Sequence, residues 1–300
     1  MAVLQGPGYH PGELAAQRRA GETDRAAHLA RSLRTEIPDV AARFLADRQL
    51  LAVGAVDEEG RVWATVLSGP AGFATAPDPR TVRVAARPTA GDPLAPLFAE
   101  GARSRLGTLA LEPTTRRRMR VNGRAVATAE GVRIRTEEVF SNCPKYIQKR
   151  QVVAASDAAV RPGPVRRGPE LGVADGVRLS TADTFFLATA DAEGRADISH
   201  RGGNPGFLRV LSPTRLRWPD YPGNAAFMSL GNLEVNPSAG LAVPDWETGD
   251  LLLVQGRAAV EWDAADRAVE LTVDQVVHLP GALPLRWSEP EFSPANPPVG

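Results

Sequence analysis

The chain has 300 residues, 43% of them hydrophobic, with 35 basic against 35 acidic residues and no net charge, so a core of domain size is affordable and recruitment by charge to nucleic acid or a membrane surface is not expected. A single cysteine, Cys143, rules out an internal disulfide and fits a reducing compartment, and four scattered histidines give no zinc-ligand spacing. No stretch is long and apolar enough for a membrane span, and the first residues lack the basic head and apolar centre of a signal peptide, so a cytoplasmic protein is expected.

The chain opens irregularly through Gly6, Pro7, Gly8, Pro11 and Gly12, and Glu13–Arg19 suits a short helix. A helical pattern spans Thr23–Thr35, with Thr23 and Asp24 as cap, and Pro38 starts another helix with Val40, Ala41, Phe44 and Leu45 on one face. The period then changes from helix to strand. Leu50–Val56 ends at the turn Asp57-Glu58-Glu59-Gly60 and pairs with Arg61–Leu67. Short strands are predicted at Gly72–Thr75 and Thr81–Ala86, a helix at Leu94–Ala102, and strands at Leu106–Leu111, Arg118–Ala127 and Val132–Thr136. Arg116-Arg117-Arg118 reads as a solvated turn, and 150–178, with RPGPVRRGPELG, as a linker or surface loop. Strands resume at Phe185–Ala190, a helix is predicted at Ala264–Leu271, a further apolar run lies at Val273–Val277, and the proline-rich tail after Ser288 is expected to be loosely held.

The second half repeats the first. Adding 134 carries Leu51–Val84 onto Phe185–Trp218 without a gap, and nine of those 34 positions are identical, among them Asp57/Asp191, Gly60/Gly194, Gly69/Gly203 and Phe73/Phe207. Adding 133 carries Gly107–Ala125 onto Gly240–Ala258. The identities fall on turns, which suggests two copies of one hairpin-rich barrel, in the order 1–48 helical segment, 49–149 first barrel, 150–180 linker, 181–288 second barrel and 289–300 tail.

Where the copies differ, function is the better explanation. Val66 and Leu67 of the first copy stand against His200 and Arg201 of the second, and Ala85–Pro88 against Pro219-Asp220-Tyr221-Pro222. Arg201 offers a fixed fork of donors for phosphate or carboxylate; Ser199, Ser229, Asn224 and Asn232 add neutral donors. Trp218 is either a ring-stacking surface or core. His200 is the candidate proton donor or an orienting group. Lys145 and Tyr146 are either a cation and an aromatic reaching the site from the first copy or part of a domain-ending turn. Cys143 is either packed or a redox thiol. Phosphate, amide donors and aromatic surface together suit flavin mononucleotide (FMN).

The segment ADISHRGGNPGF…LRWPDYPGNAAFMSLGNLEVNPSAGLAV resembles the pyridoxamine 5′-phosphate oxidase-like family of FMN-binding split barrels, as do SNCPKYIQKR (141–150) and the opening HPGELAAQRRAG, so that the likeness runs over about residues 9–288. It implies a β-rich (α+β) fold of two tandem six-stranded Greek-key split barrels with peripheral helices. FMN would lie at the interface of the two in an intramolecular pseudo-dimer, with further homodimerisation open. Carried over by position, Arg201 matches the arginine that reaches the flavin or its phosphate, with Ser199 and Gly202 beside it. Asn224 follows the bordering hairpin strand, and Ser229 and Asn232 stand on a short helix by the phosphate. The arginine-and-lysine phosphate-binding run and the C-terminal substrate motif of true pyridoxamine phosphate oxidases are missing, which argues against pyridoxine synthesis. The resemblance thus implies an FMN-dependent oxidoreductase acting on a small molecule, with NAD(P)H as a candidate electron donor. The alternative is a flavin or haem carrier without turnover.

Overall fold

The computed structural model describes residues 8–141, 143–155, 163–262 and 267–299. Three short helices lead in: α1 (Pro11–Arg19), α2 (Thr23–Ala30) and α3 (Asp39–Ala46). The α1 start is a capping box, in which the His10 ring accepts from the Gly12 amide and the Glu13 carboxylate accepts from the His10 amide. The helix predicted over 23–35 stops at Ala30, because the chain then bridges as a strand from Arg34 to Val139.

The first sheet comprises β1 (Leu50–Val56), β2 (Val62–Ser68), β3 (Ala74–Asp78), β4 (Thr81–Val84), β5 (Arg103–Glu112), β6 (Arg117–Thr128) and β7 (Gly131–Ser141) in the order β2-β1-β5-β6-β7-β4-β3. Then come β8 (Val152–Ala155), β9 (Arg166–Gly168) and α4 (Val173–Thr181). The second sheet is built from β10 (Thr184–Ala190), β11 (Ala196–Gly202), β12 (Arg209–Ser212) and β13 (Arg215–Pro219), then, after α5 (Met228–Val235), from β14 (Ser238–Pro244), β15 (Leu251–Glu261) and β16 (Ala268–Leu279). Its order, β11-β10-β14-β15-β16-β13-β12, is that of the first sheet strand for strand, with β9 added alongside β16. A last strand, β17 (Leu285–Trp287), pairs with β8. All named pairings are antiparallel, and neither path of described strands closes into a barrel. Each path has seven strands, not the six implied by the resemblance.

Turn chemistry accounts for the repeated residues. Asp57 Oδ1 accepts from the amides of Glu59 (3.0 Å) and Arg61 (2.8 Å), and Asp191 Oδ1 accepts from those of Glu193 (3.0 Å) and Arg195 (2.8 Å). Gly60 and Gly194 turn with φ of 79° and 72° in the left-handed region. The two sheets meet through β2 against β14 and β11 against β5. At these crossings a Cβ on Gly107 would come 2.7 Å from Asp197 Cα, and one on Gly240 would come 2.7 Å from Trp63 Cα, so a matched pair of glycines sets the spacing. The main apolar cluster is continuous across the contact, joining Leu51, Trp63 and Leu109 with Phe186, Ile198 and Leu253.

Several expectations are corrected. Residues predicted helical at 94–102 make only a short 3-10 turn over Ala95–Phe98 before β5. Within the helix expected over 264–271, Ala268 onward is β16, because that stretch pairs with both β13 and β15; residues 264–266 lie outside the described residues. The presumed linker contains β8, β9 and α4, while its residues 156–162 lie outside the described residues. The tail is tied down rather than loose: Glu291 bridges Lys149, the Ser293 amide donates to Gln148 Oε1 (2.8 Å), and Asn296 Nδ2 donates to Gln148 Oε1 and to Asn204 Oδ1 (both 3.0 Å).

Candidate functional site

Between the two sheets lies a pocket of about 110 Å³. Each sheet supplies one wall. The first half contributes Arg118 and Arg120 from β6 and Cys143, Lys145 and Tyr146 from the turn after β7; the second contributes the end of β11, the β13–α5 loop and the first turn of α5.

On β11, Ser199 and Arg201 share a face, as alternate strand residues must. Arg201 Nη1 donates to Asp220 Oδ1 (2.6 Å) and Nε to Ser199 Oγ (3.3 Å). Ser229 Oγ, on α5, donates to Ser199 Oγ (3.0 Å). Asp220 also takes Arg267 Nε on Oδ2 (2.7 Å), so one carboxylate holds two guanidinium groups at the rim. Asn224 Oδ1 accepts from the Ala226 amide (3.2 Å), an Asx turn that shapes the approach to α5. Ala225 (φ 65°) and Phe227 (φ 57°) are held left-handed there, which is strained for residues other than glycine. No side chain caps α5, and its first turn lines the pocket, leaving its N-terminal amides and the positive end of its dipole toward the cavity.

Gly202 closes the strand where the carbonyl of Tyr146 packs against it, and a Cβ would run into that oxygen. The contact seats the Lys145–Tyr146 turn on the second half. Tyr146 has φ of 66°, its hydroxyl donates to the Pro222 carbonyl (3.0 Å), and its ring lies 5.1 Å from that of Tyr221 at a 37° tilt.

The charges are unbalanced. Arg118, Arg120, Lys145, Arg201 and Arg267 face Asp220 as the only carboxylate among the lining residues. Arg120 is discharged behind the wall onto Asp197 (2.8 and 3.1 Å). Burial, then the positive charges of Arg120 and Arg201, push the Arg118 guanidinium down to about 9. Burial, then Arg118, Arg201 and Arg120, hold the buried His200 imidazole well below its ordinary range, so it is neutral. Arg118 Nε, Arg120 Nε and His200 Nε2 are buried and have no hydrogen-bond partner.

Of the residues singled out from sequence, Ser199, His200, Arg201, Gly202, Asn224, Ser229 and Lys145 line this pocket. Two do not. Trp218 is fully buried and packs edge-on against Phe185 (5.3 Å), which makes it core. Asn232 points to the far side of α5, where Nδ2 donates to Thr189 Oγ1 (2.9 Å) and Oδ1 meets His10 Nε2 (2.9 Å). Sequence reading missed Arg118, Arg120 and Arg267. The basic run at 116–118 is not a solvated turn: Arg116 Nε donates to the Ile147 carbonyl (2.8 Å), Arg117 lies over Phe44, and Arg118 enters the pocket. Its signal was alternation, since Arg118, Arg120 and Asn122 share one face of β6 and Met119 and Val121 the other.

The corresponding place in the first half is a cavity of about 200 Å³ lined by Thr65, Val66, Leu67, Ser68, Arg87, Asp92 and Leu251. By the 134 and 133 offsets, Val66 stands for His200, Leu67 for Arg201 and Leu251 for Arg118. The first half therefore has no counterpart of His200, Arg201 or Arg118 at these positions.

Residues 177–282 match the family model described as pyridoxamine 5′-phosphate oxidase. No curated protein matches the chain. Among solved structures, HupZ of Group A Streptococcus is similar at 15% identity, covering 35% of this chain and 90% of its own, with a TM-score of 0.30. A FAD-binding protein of Mesorhizobium loti is similar at 15% identity over 39% of this chain and 98% of its own, TM-score 0.28. The FAD binding protein of Mycobacterium smegmatis is similar at 13% identity over 37% and 96%, TM-score 0.27. The matched stretch runs from the end of α4 through β16 and contains α5. The stretch 177–282, which brings Ser199, Arg201, Gly202 and Ser229 to the pocket, is the part of the chain that resembles the pyridoxamine 5′-phosphate oxidase family.

Proposed function

We propose that this pocket binds flavin mononucleotide and that the chain is an FMN-dependent oxidoreductase acting on a small molecule, with NAD(P)H as electron donor. The observation that carries the reading is the pair of buried, unpartnered donors, Arg118 Nε and His200 Nε2, beside Arg201 and the uncapped start of α5. An anion rich in acceptors would satisfy them; a neutral guest would leave them unpaired at a cost of about 1–3 kcal/mol each. The match of residues 177–282 to the pyridoxamine 5′-phosphate oxidase family model supports a flavin as the bearer of that anion. Arg118, Arg201, Ser229 and the first amides of α5 would hold its phosphate. Tyr146 and Tyr221 offer ring surface at the rim. At about 110 Å³ the pocket is below the ~300–1,000 Å³ of a typical ligand pocket, so it suits the phosphate end, with the ring system toward the Tyr146–Tyr221 rim.

Bound flavin supplies the hydride and electron chemistry. The chain's own part is positioning: Arg201 is kept in place by Asp220 and Ser199, and His200, neutral, presents Nε2–H as a fixed donor. We also propose that the two sheets are two copies of a split barrel facing each other as an intramolecular pseudo-dimer, with one flavin per chain; their common strand order and the single set of anion-binding side chains support this.

A second reading, a flavin or haem carrier without turnover, is favoured by one observation. The candidate proton donor, His200, is held neutral by burial and by the neighbouring arginines, which moves it away from acid–base function at neutral pH. The visible spectrum of the purified protein and an FMN fluorescence titration test binding; a colourless protein that leaves FMN fluorescence unchanged overturns both flavin readings. Anaerobic mixing of the FMN complex with NADPH separates them, since bleaching supports the oxidoreductase and a persistently oxidised flavin supports the carrier.

A further inference from the structure

On the other side of Asp197 from the anion pocket lies a second cavity of about 580 Å³, between α1, the β6–β7 hairpin and the β10–β11 turn. Its charged side chains nearly all have partners. Arg195 pairs with Asp191 and Glu193, Arg105 and Arg124 with Glu137, Arg80 with Glu36, and Asp197 with Arg120. Two carboxylates are left over, Glu13 and Glu138. Glu13 is 4% exposed and receives the His10 amide (2.8 Å). His10 does not neutralise it: Nδ1 accepts from the Gly12 amide, Nε2 is turned to Asn232 Oδ1, and burial lowers the imidazole pKa. Glu138 Oε2 receives Asn122 Nδ2 (3.0 Å).

A second, independent feature points the same way. Asn122 lines the cavity at 6% exposure, and its amide nitrogen is committed to Glu138 and to Asp197 Oδ1 (3.2 Å). Those two acceptors fix the amide orientation, so Oδ1 is the remaining atom, and it is buried without a donor. The cavity therefore offers the carboxyl groups of Glu13 and Glu138 and one amide oxygen, and a bound cation would favour the ionised, acceptor-only form of Glu13.

We propose that this cavity is a binding site for a small alkylammonium ion, held by Glu13, Glu138 and Asn122 Oδ1. An ammonium group carries three N–H donors and no acceptor, which matches the three acceptor groups. No three described His, Cys, Asp or Glu side chains converge as a metal ion requires, and the space is wide enough for carbon chain beside the charge. The Glu13 carboxyl, pushed up to about 8 by burial and by the charges of Glu138 and Asp197, marks a place short of positive charge. This inference stands independently of flavin binding.

The test is a calorimetric titration of the intact protein with 1,4-diaminobutane, with 1,4-butanediol as the neutral control. Saturable binding of the diamine alone is expected. Glu138→Gln, which keeps the shape and the Asn122 contact, should weaken it about tenfold or more, the scale of a lost charge-assisted contact. Glu137→Gln, a rim position already held by Arg105 and Arg124, should stay within about threefold of wild type. Absence of a saturable signal, equal loss in both variants, or equal saturation by magnesium chloride would overturn the proposal; circular dichroism of each variant separates loss of site from loss of fold.

Discussion

Arg118 Nη1 stands 3.0 Å from Nδ1 of His200, a guanidinium from the first sheet donating to an imidazole from the second. Arginine has no acceptor, so Nδ1 must supply the lone pair and Nε2 must carry the proton. A second proton would place a cation against three arginines in a buried site. We therefore expect His200 to remain neutral, in the Nε2–H form, from pH 8 down past its ordinary range, as read by nitrogen-15 chemical shifts. The sign for stability follows: the folded pKa is depressed, so the full contribution is present above about 6.5, the unfolded value. It is lost as pH falls below that, because the unfolded chain binds a proton that the folded imidazole refuses. A His200 signal titrating near the ordinary value would contradict the contact.

Arg201→Ala is expected to weaken FMN binding by about tenfold to a hundredfold, the worth of one charge-assisted contact. Asp220 keeps Arg267 as partner, so the rim should stay folded. Arg215→Ala, which removes an exposed cation paired with Glu270 outside the pocket, should leave binding unchanged. Fluorescence titration of both variants reads the difference, and wild-type saturation at two flavins per chain would refute the single-site arrangement.

Gly202→Ala should destabilise the protein by about 1–3 kcal/mol, since the new methyl meets the backbone oxygen of Tyr146. Gly223→Ala serves as the comparison. There the nearest neighbour of an added Cβ, the Tyr221 carbonyl, is 4.0 Å away, and stability should hardly move. Denaturant unfolding of the two variants is the measurement, and equal stabilities would be inconsistent with the docking of the Lys145–Tyr146 turn on β11.

Glu13→Gln should stabilise the ligand-free protein increasingly as pH rises. The Glu13 pKa goes from 4.5 to about 8 on folding, so wild-type stability falls between those values as the unfolded chain gives up a proton that the folded one retains. Each pKa unit corresponds to about 1.4 kcal/mol. The glutamine carbonyl can still accept from the His10 amide, which preserves the helix cap. Thermal unfolding should show the variant's advantage at pH 8 and little of it at pH 4.5.

The strand pattern, the hairpin turns and the cluster on β11 were legible because their causes are local. An Asp-x-Glu-Gly-Arg turn works through bonds between residues two to four apart, and it reads the same in both halves. Ser199, Arg201 and Gly202 sit within a few residues of one strand end, so finding one found the others. Trp218 was ambiguous because a tryptophan on a strand alternating buried and half-buried residues suits a core or a stacking surface equally well, and only packing against Phe185 decides. The helix expected at 264–271 failed for a related reason: from Ala268 onward its residues belong to β16, paired on both sides by β13 and β15, while 94–102 makes only the 3-10 turn that leads into β5.

By itself the sequence determined the alternation of strands and turns, the correspondence of the two halves, and the fact that one half carries His200 and Arg201 where the other carries Val66 and Leu67. The tertiary structure decided which basic residues share that site. Arg118 and His200 are 82 positions apart, and they meet because Gly107 and Gly240 let the sheets approach until β6 of one faces β11 of the other. That choice depends on burial and long-range pairing: an arginine on a strand is written the same way whether its face ends in water, over Phe44, or in a pocket whose one carboxylate, Asp220, is already held by Arg201 and Arg267.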